Sequence, residues 1–303
     1  MHAVRLERVI KNDEYLSYKT VPEYRTHALE CLLEVCSFLA QRYPDTFAVT
    51  RRRFDVADGA THGDSIAGER AGAVASITNH LTGEHFDFAQ IEQDEGPAWD
   101  PMRVASVLTE DDLVVMVEDA SGEYRFRAGT ACTPGFWRLQ DRLGQSLEEL
   151  HGTGNVPGWR DRLKPSMERF FQRLPCDRPV ERNNFFFQVD GGLDWSTRTL
   201  GPREAFDMRT KGVDPSRVPT SSEPRWEEPG PATEFDEVWM RTERQTLRRM
   251  PKTGCICFTV RTYLLNMPQF ANEPGVPGRF ASAVRVSPAT ATRWRVLPQG
   301  CPR

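Results

Sequence analysis

The stretch Arg241–Leu264, RTERQTLRRMPKTGCICFTVRTYL, decides the fold. Two strand-forming runs flank Pro251-Lys252-Thr253-Gly254, a turn sequence, so the stretch predicts a β-hairpin. In its second strand Ile256, Phe258, Val260 and Leu264 share one face, and Cys257, Thr259, Arg261 and Tyr263 share the other. The first is a core face. The second suits solvent or the wall of a polar pocket. In the partner strand Trp239, Arg241, Glu243 and Gln245 alternate with Met240, Thr242 and Arg244. So many charges on one hairpin have two explanations. They are cross-strand ion pairs on a wet face, or they line a cavity where arginine forks bind the carboxylates of a bulky ligand.

Outward from the hairpin, short turns join most of the other strand signals. DLVVMVEDASGEYRFRAGTAC carries an apolar run, a Ser121-Gly122 turn and alternation through Tyr124, Phe126 and Ala128. AGAVASITNHLTGEHFDF reads as a hairpin around Thr82-Gly83, FAVTRRRFDVA as a strand, and PVERNNFFFQVDG as another. Leu29, Leu32, Leu33, Cys36 and Leu39 recur at helical spacing until Tyr43-Pro44. Further helices are expected near Pro101, over QSLEELHG, over WRDRLKPSMERFFQRL with a break or kink at Pro165, and around Arg279–Val286. The expected class is α+β: an antiparallel sheet of five or more strands with helices packed on it, in one domain spanning 1–303. Residues 200–233, rich in Pro, Ser, Glu and Arg, are expected to form an irregular surface excursion.

Of the 303 residues 39% are hydrophobic and 27% charged, which allows a sizeable core. A net charge of -4, with arginine dispersed among acids, argues against a nucleic-acid partner. The N-terminus MHAVRLERVIKNDEYLSYK has no apolar leader, and no run reaches membrane-spanning length, so a soluble cytoplasmic protein is expected. Seven irregularly spaced cysteines read as reduced thiols, and neither Cys31/Cys36 nor Cys255/Cys257 has a C-x-x-C spacing.

The segment ERQTLRRMPKTGCICFTVRTYL resembles the hallmark of the heme-dependent oxidative N-demethylase alpha-subunit-like family, the HRQ family. Other segments resemble that family in the same order: RYPDTF at 42–47, TNHLTGEHFDF, EDDLVVMVED, ACTPGFW at 131–137, LEELHGTGNVPGW and VERNNFF. Together they cover roughly residues 12 to 290. The resemblance implies a PAS-like antiparallel sheet with helices enclosing a heme b, and an oxidase or oxygenase that uses dioxygen to demethylate a small secondary amine.

Such an enzyme needs an axial ligand, cations for the propionates and a distal pocket. Of six histidines, His151 closes the LEELH helix and matches the histidine in the family's segments, so the resemblance implies it as the iron ligand. The others, His2, His27, His62, His80 and His85, lie at the terminus, a helix start, a loop or a turn. The chain reads HGTGNVP where the family places two residues before Val-Pro, an insertion of two. For the propionates the candidates are Arg182, Arg244 and Arg261, each with a surface ion pair as its alternative. Trp137 packs the core or a heme face. Glu243 and Tyr263 are the favoured substrate contacts, a carboxylate for a protonated amine and a hydroxyl to orient it, with Asp112 as a further acid. Glu243 and Arg244 must face opposite ways in a regular strand. No dinucleotide fingerprint and no iron–sulfur cysteine set is present, so electrons are expected from a separate reductase, a small reductant or the substrate. A non-catalytic heme sensor or carrier is one rival reading. A relative repurposed for oxidative tailoring of a larger metabolite, or one that has lost heme, is another.

Overall fold

Strands β8 (Trp239–Arg249) and β9 (Ile256–Asn266), 11 residues each, form the expected hairpin, with Trp239 opposite Asn266 and Arg249 opposite Ile256. The ladder between them has no register shift. Gly254, at φ +71°, supplies the left-handed turn position that residues with a Cβ avoid. The computed structural model describes residues 2–12, 16–52, 74–93, 96–135, 137–153, 163–189, 191–193 and 232–286. The excursion expected at 200–233 lies outside the described residues up to 231.

The hairpin is part of a six-stranded sheet, ordered β1-β6-β5-β9-β8-β7, with every described pairing antiparallel. The other strands are β1 (Tyr18–Thr20), β5 (Asp112–Glu118), β6 (Tyr124–Thr130) and β7 (Val180–Gln188). A smaller sheet pairs β2 (Phe47–Arg51), β3 (Val74–Asn79) and β4 (His85–Asp87). The class is α+β, as expected.

Helices cover both faces of the large sheet. Strand β5 is central, and its apolar run serves two cores at once. Leu113, Val115 and Val117 join the cluster built with α1 (His2–Ile10), α2 (Arg25–Arg42) and α4 (Pro101–Leu108). Val114 and Met116 join the one built with α5 (Leu139–Arg142), α6 (Leu147–Thr153) and α7 (Lys164–Arg173). Each such side chain contributes about 1.5–3 kcal/mol when fully buried, which fixes the register of β5 against both neighbours. A third cluster joins Val238 to Met267 and Phe270 of α8 (Met267–Ala271), with Phe280 of α9 (Val276–Val286) against it. A further described helix is α3 (Phe88–Gln93).

Pro165 lies in the first turn of α7, where a missing N–H costs nothing; the part of the expected helix before Leu163 lies outside the described residues. The N-terminal segment forms α1, fixed by the fully buried Arg5, which donates to the carbonyls of Ser106 and Asp111 and to Asp112. Among the described residues no helix is long and apolar enough to cross a membrane.

Candidate functional site

Strand β8 lies between β7 and β9, so directly opposed residues form rows on one face of the sheet. On the α6 side, the row Val180–Leu247–Phe258–Val114 belongs to the apolar core. The next rows are polar: Arg182–Gln245–Val260–Asp112, then Asn184–Glu243–Thr262, then Phe186–Arg241–Leu264. The polar wall starts where the apolar core stops. Arg241, Glu243 and Gln245 on it are 0%, 8% and 6% exposed. Charges so deep persist only with partners.

A chain of polar contacts runs across these rows. Arg182 Nε donates to Gln245 Oε1 at 2.7 Å, and Gln245 Nε2 donates to Glu243 Oε2 at 3.0 Å. Arginine only donates and a carboxylate only accepts, so the amide has a single consistent orientation. Glu243 Oε1 then lies 3.8 Å from Arg241 Nε. Arg241 donates to the carbonyls of Leu193 (3.2 Å) and Thr133, and to Thr262 Oγ1 (3.1 Å). Burial lowers the Arg241 pKa from its ordinary value, against the pull of Glu243 and Asp112. The Arg182 pKa is lowered by desolvation too, with Glu243 opposing; its solvent-exposed position makes that loss of solvation a modest one.

Close to this wall is His151. Helix α6 begins with a capping box: Glu149 N donates to Ser146 Oγ at 3.3 Å, and Ser146 N to Glu149 Oε2 at 2.7 Å. One turn on, His151 Nδ1 donates to the Leu147 carbonyl at 2.8 Å. Since a carbonyl can only accept, this bond fixes the tautomer and puts the neutral ring's lone pair on Nε2. Burial lowers the His151 pKa most; the Leu147 bond raises it, and the charges of Arg182 and Arg142 lower it further. The half-buried ring is therefore held neutral beside two guanidinium groups. Arg142, itself buried, donates to Gln145 Oε1 at 3.3 Å.

The structure thus brings together three residues expected from sequence: Glu243, Arg182 and His151. It separates the rest. Asp112 shares the face, but its carboxylate is occupied by Arg5 Nη1 (2.6 Å) and by the backbone N–H groups of Cys132 (2.9 Å) and Thr133 (3.1 Å). That is an anchoring position. Trp137 packs against the second core, edge-on to Phe126 with 6.3 Å between ring centroids.

Arg244, Arg261 and Tyr263 point to the opposite face. Glu243 opposes Thr262 and Tyr263 opposes Thr242, so an unbroken ladder cannot set Glu243 and Tyr263 in one pocket. Arg244 is exposed and Arg261 pairs with Glu110 and Asp111, while Tyr263 is 47% exposed. Strand parity therefore sets these three on the face of the ribbon away from Glu243. Of the other histidines, His62 lies outside the described residues, and His85 bonds Thr78 Oγ1 on the small sheet. Sequence reasoning passed over Arg241 and Gln245, each two residues from Glu243 and so on its face, and the buried Arg142. Period-2 spacing from Glu243 was the signal for the first two; Arg142 had none.

Among the described residues no group of three or more His, Cys, Asp or Glu is arranged to hold a bare metal ion. The chain belongs to the family described as haem-dependent oxidative N-demethylase, alpha subunit-like, whose model matches residues 1–298.

Proposed function

We propose that this member of the haem-dependent oxidative N-demethylase, alpha subunit-like family is a single-domain heme b oxidoreductase of PAS-like fold, acting on a small amine with dioxygen. The observation that carries the reading is the polar chain from Arg182 through Gln245 to Glu243, with His151, its tautomer fixed by the Leu147 carbonyl, within electrostatic reach of Arg182.

The residues fit the cofactor. His151 offers Nε2 to the iron, and its Leu147 hydrogen bond sets the ring's orientation as a neighbouring acceptor does for most ligating histidines. Arg182 and Arg142 are the cations for the propionates, in place of Arg244 and Arg261. When bound, the heme supplies the binding and reduction of dioxygen, with electrons from a separate reductase or from the amine.

The chain's own residues do the rest. Glu243 is held between the Gln245 amide and the Arg241 guanidinium, so its carboxylate has a set position from which to hold an ammonium or accept its proton. Gln245 transmits that position to Arg182. Arg241 binds the Thr133 and Leu193 carbonyls and so ties two segments distant in sequence to the wall. A charged wall of this kind favours catalysis over a sensor or carrier, which would need only an apolar distal side.

Absorption spectra of the heme-supplemented protein, wild type and His151→Ala, test the ligand: the Soret band should weaken and shift in the variant. An unchanged band removes His151 from the iron. Amine-dependent oxygen uptake tests the carboxylate, with Glu243→Gln expected to lose about 100-fold.

A further inference from the structure

We infer that Cys31 and Cys255 form a modification site, a thiol pair that a peroxide-class oxidant converts to a disulfide stapling helix α2 to the turn of the β8–β9 hairpin. The two residues are 224 positions apart in sequence, yet their sulfurs lie 3.8 Å from each other. Their approach is already fixed by other bonds. Glu30, beside Cys31 on α2, accepts from the backbone N–H groups of Lys252 and Thr253, both at 2.8 Å. The hairpin turn is thereby seated on the helix, which holds the two sulfurs within about 2 Å of the roughly 2.05 Å length of a disulfide bond.

The two thiols are not equivalent. Cys255 is 1% exposed but directly follows the surface turn, where Pro251 and Lys252 are exposed. Thr253 Oγ1 donates to Cys255 Sγ at 3.2 Å. Donation from the Cys31 thiol and from Thr253 lowers the Cys255 pKa, whereas the Cys31 pKa is raised by its bonds to Cys255 and Cys257 and by burial. Cys255 is the group that reaches the thiolate and Cys31 the partner that stays protonated. Cys36, on the same helix, is buried with its pKa pushed up by desolvation, and serves as an internal control.

The chemistry balances in two steps. The Cys255 thiolate attacks one oxygen of ROOH; the O–O bond breaks, RO⁻ leaves and takes a proton as ROH, and Cys255 carries a sulfenic acid. The Cys31 sulfur then attacks Cys255 Sγ, the S–O bond breaks, and hydroxide leaves with the Cys31 proton as water. The two thiols lose two electrons and the peroxide gains them.

The test uses the full chain, exposed to hydrogen peroxide and alkylated under denaturing conditions before digestion without reductant. The expected product is a cross-linked peptide joining Cys31 to Cys255. It should also form in Cys36→Ser, be absent in Cys255→Ser, and be accompanied by a rise in melting temperature on the order of 5 °C that reductant reverses. The wild-type map decides the matter even if a variant fails to fold. Full alkylation of both residues, a Cys31–Cys257 link instead, or sulfinic acid at Cys255 with Cys31 still reduced would each overturn the assignment.

Discussion

Asp112 and Arg241 hold the same peptide segment from its two sides: Thr133 N donates to Asp112 Oδ2 at 3.1 Å, and the Thr133 carbonyl accepts from Arg241 Nη2. One residue sits on a central strand and the other two strands away, so the loop after β6 is fastened across the sheet. Asp112 is also the partner of the buried Arg5. Removing its charge leaves that guanidinium uncompensated. Asp112→Asn should therefore lower stability by about 3 kcal/mol, read from urea unfolding. A change below about 0.5 kcal/mol would sink the anchoring role.

The same loop contains Gly135, where an added Cβ would fall 2.4 Å from Phe186 Cζ and 3.3 Å from Arg241 Nε. The Phe186 ring and the buried guanidinium leave little room to yield. Gly135→Ala should cost about 1–3 kcal/mol and weaken heme uptake, since Arg241 must shift. Wild-type melting and titration curves would contradict this.

Gln245 links Arg182 to Glu243, and its shape matters more than its polarity. Gln245→Leu removes both bonds while keeping bulk, and a roughly tenfold weaker heme affinity is expected by titration, with Gln245→Glu also impaired through repulsion of Glu243. Equal affinity in the leucine variant would show that the link is dispensable.

Tyr263 lies on the other face from Glu243 and is half-exposed. Tyr263→Phe should leave stability and amine-dependent oxygen uptake within about twofold of wild type. A hundredfold loss would mean that the ribbon's faces are assigned wrongly.

The His151 pKa is lowered in the fold, chiefly by burial. The folded chain thus binds a proton less readily than the unfolded chain, whose histidine titrates near about 6.5. The contribution is fully present above that value and is lost as the pH falls through the lower folded one. Between pH 7.5 and 5.5 the wild type should lose more stability than His151→Gln. His27, also lowered by burial, remains in both proteins and cancels in the difference. Parallel pH profiles would refute the neutral, buried imidazole.

The hairpins, the helix over Arg25–Arg42 and the mixed class were legible because each rests on local rules: turn residues, period 2 and period 3.6. Glu243 and its opposition to Arg244 were legible for the same reason. What parity could not reveal was which face would be covered. Arg261 and Tyr263 looked like a pocket wall because they are polar. The apolar-looking face instead carries the buried polar wall, since its neighbours on β8 are Arg241, Glu243 and Gln245. Asp112 read as an acid before a strand; its true partner, Arg5, is 107 residues away, and no local pattern carries such a pairing. Arg142 lies in a four-residue helix too short for any periodic signal.

The unbroken eleven-rung ribbon of β8 and β9 also restricts how relatives of this chain can vary in length. A single extra residue in β8, unless absorbed as a bulge, would turn the β8 residues on one side of it to the opposite face, breaking the Arg241–Glu243–Gln245 wall in one step. Insertions there should come in twos or at the Pro251–Gly254 bend, and lineages that gained one residue should carry a compensating kink.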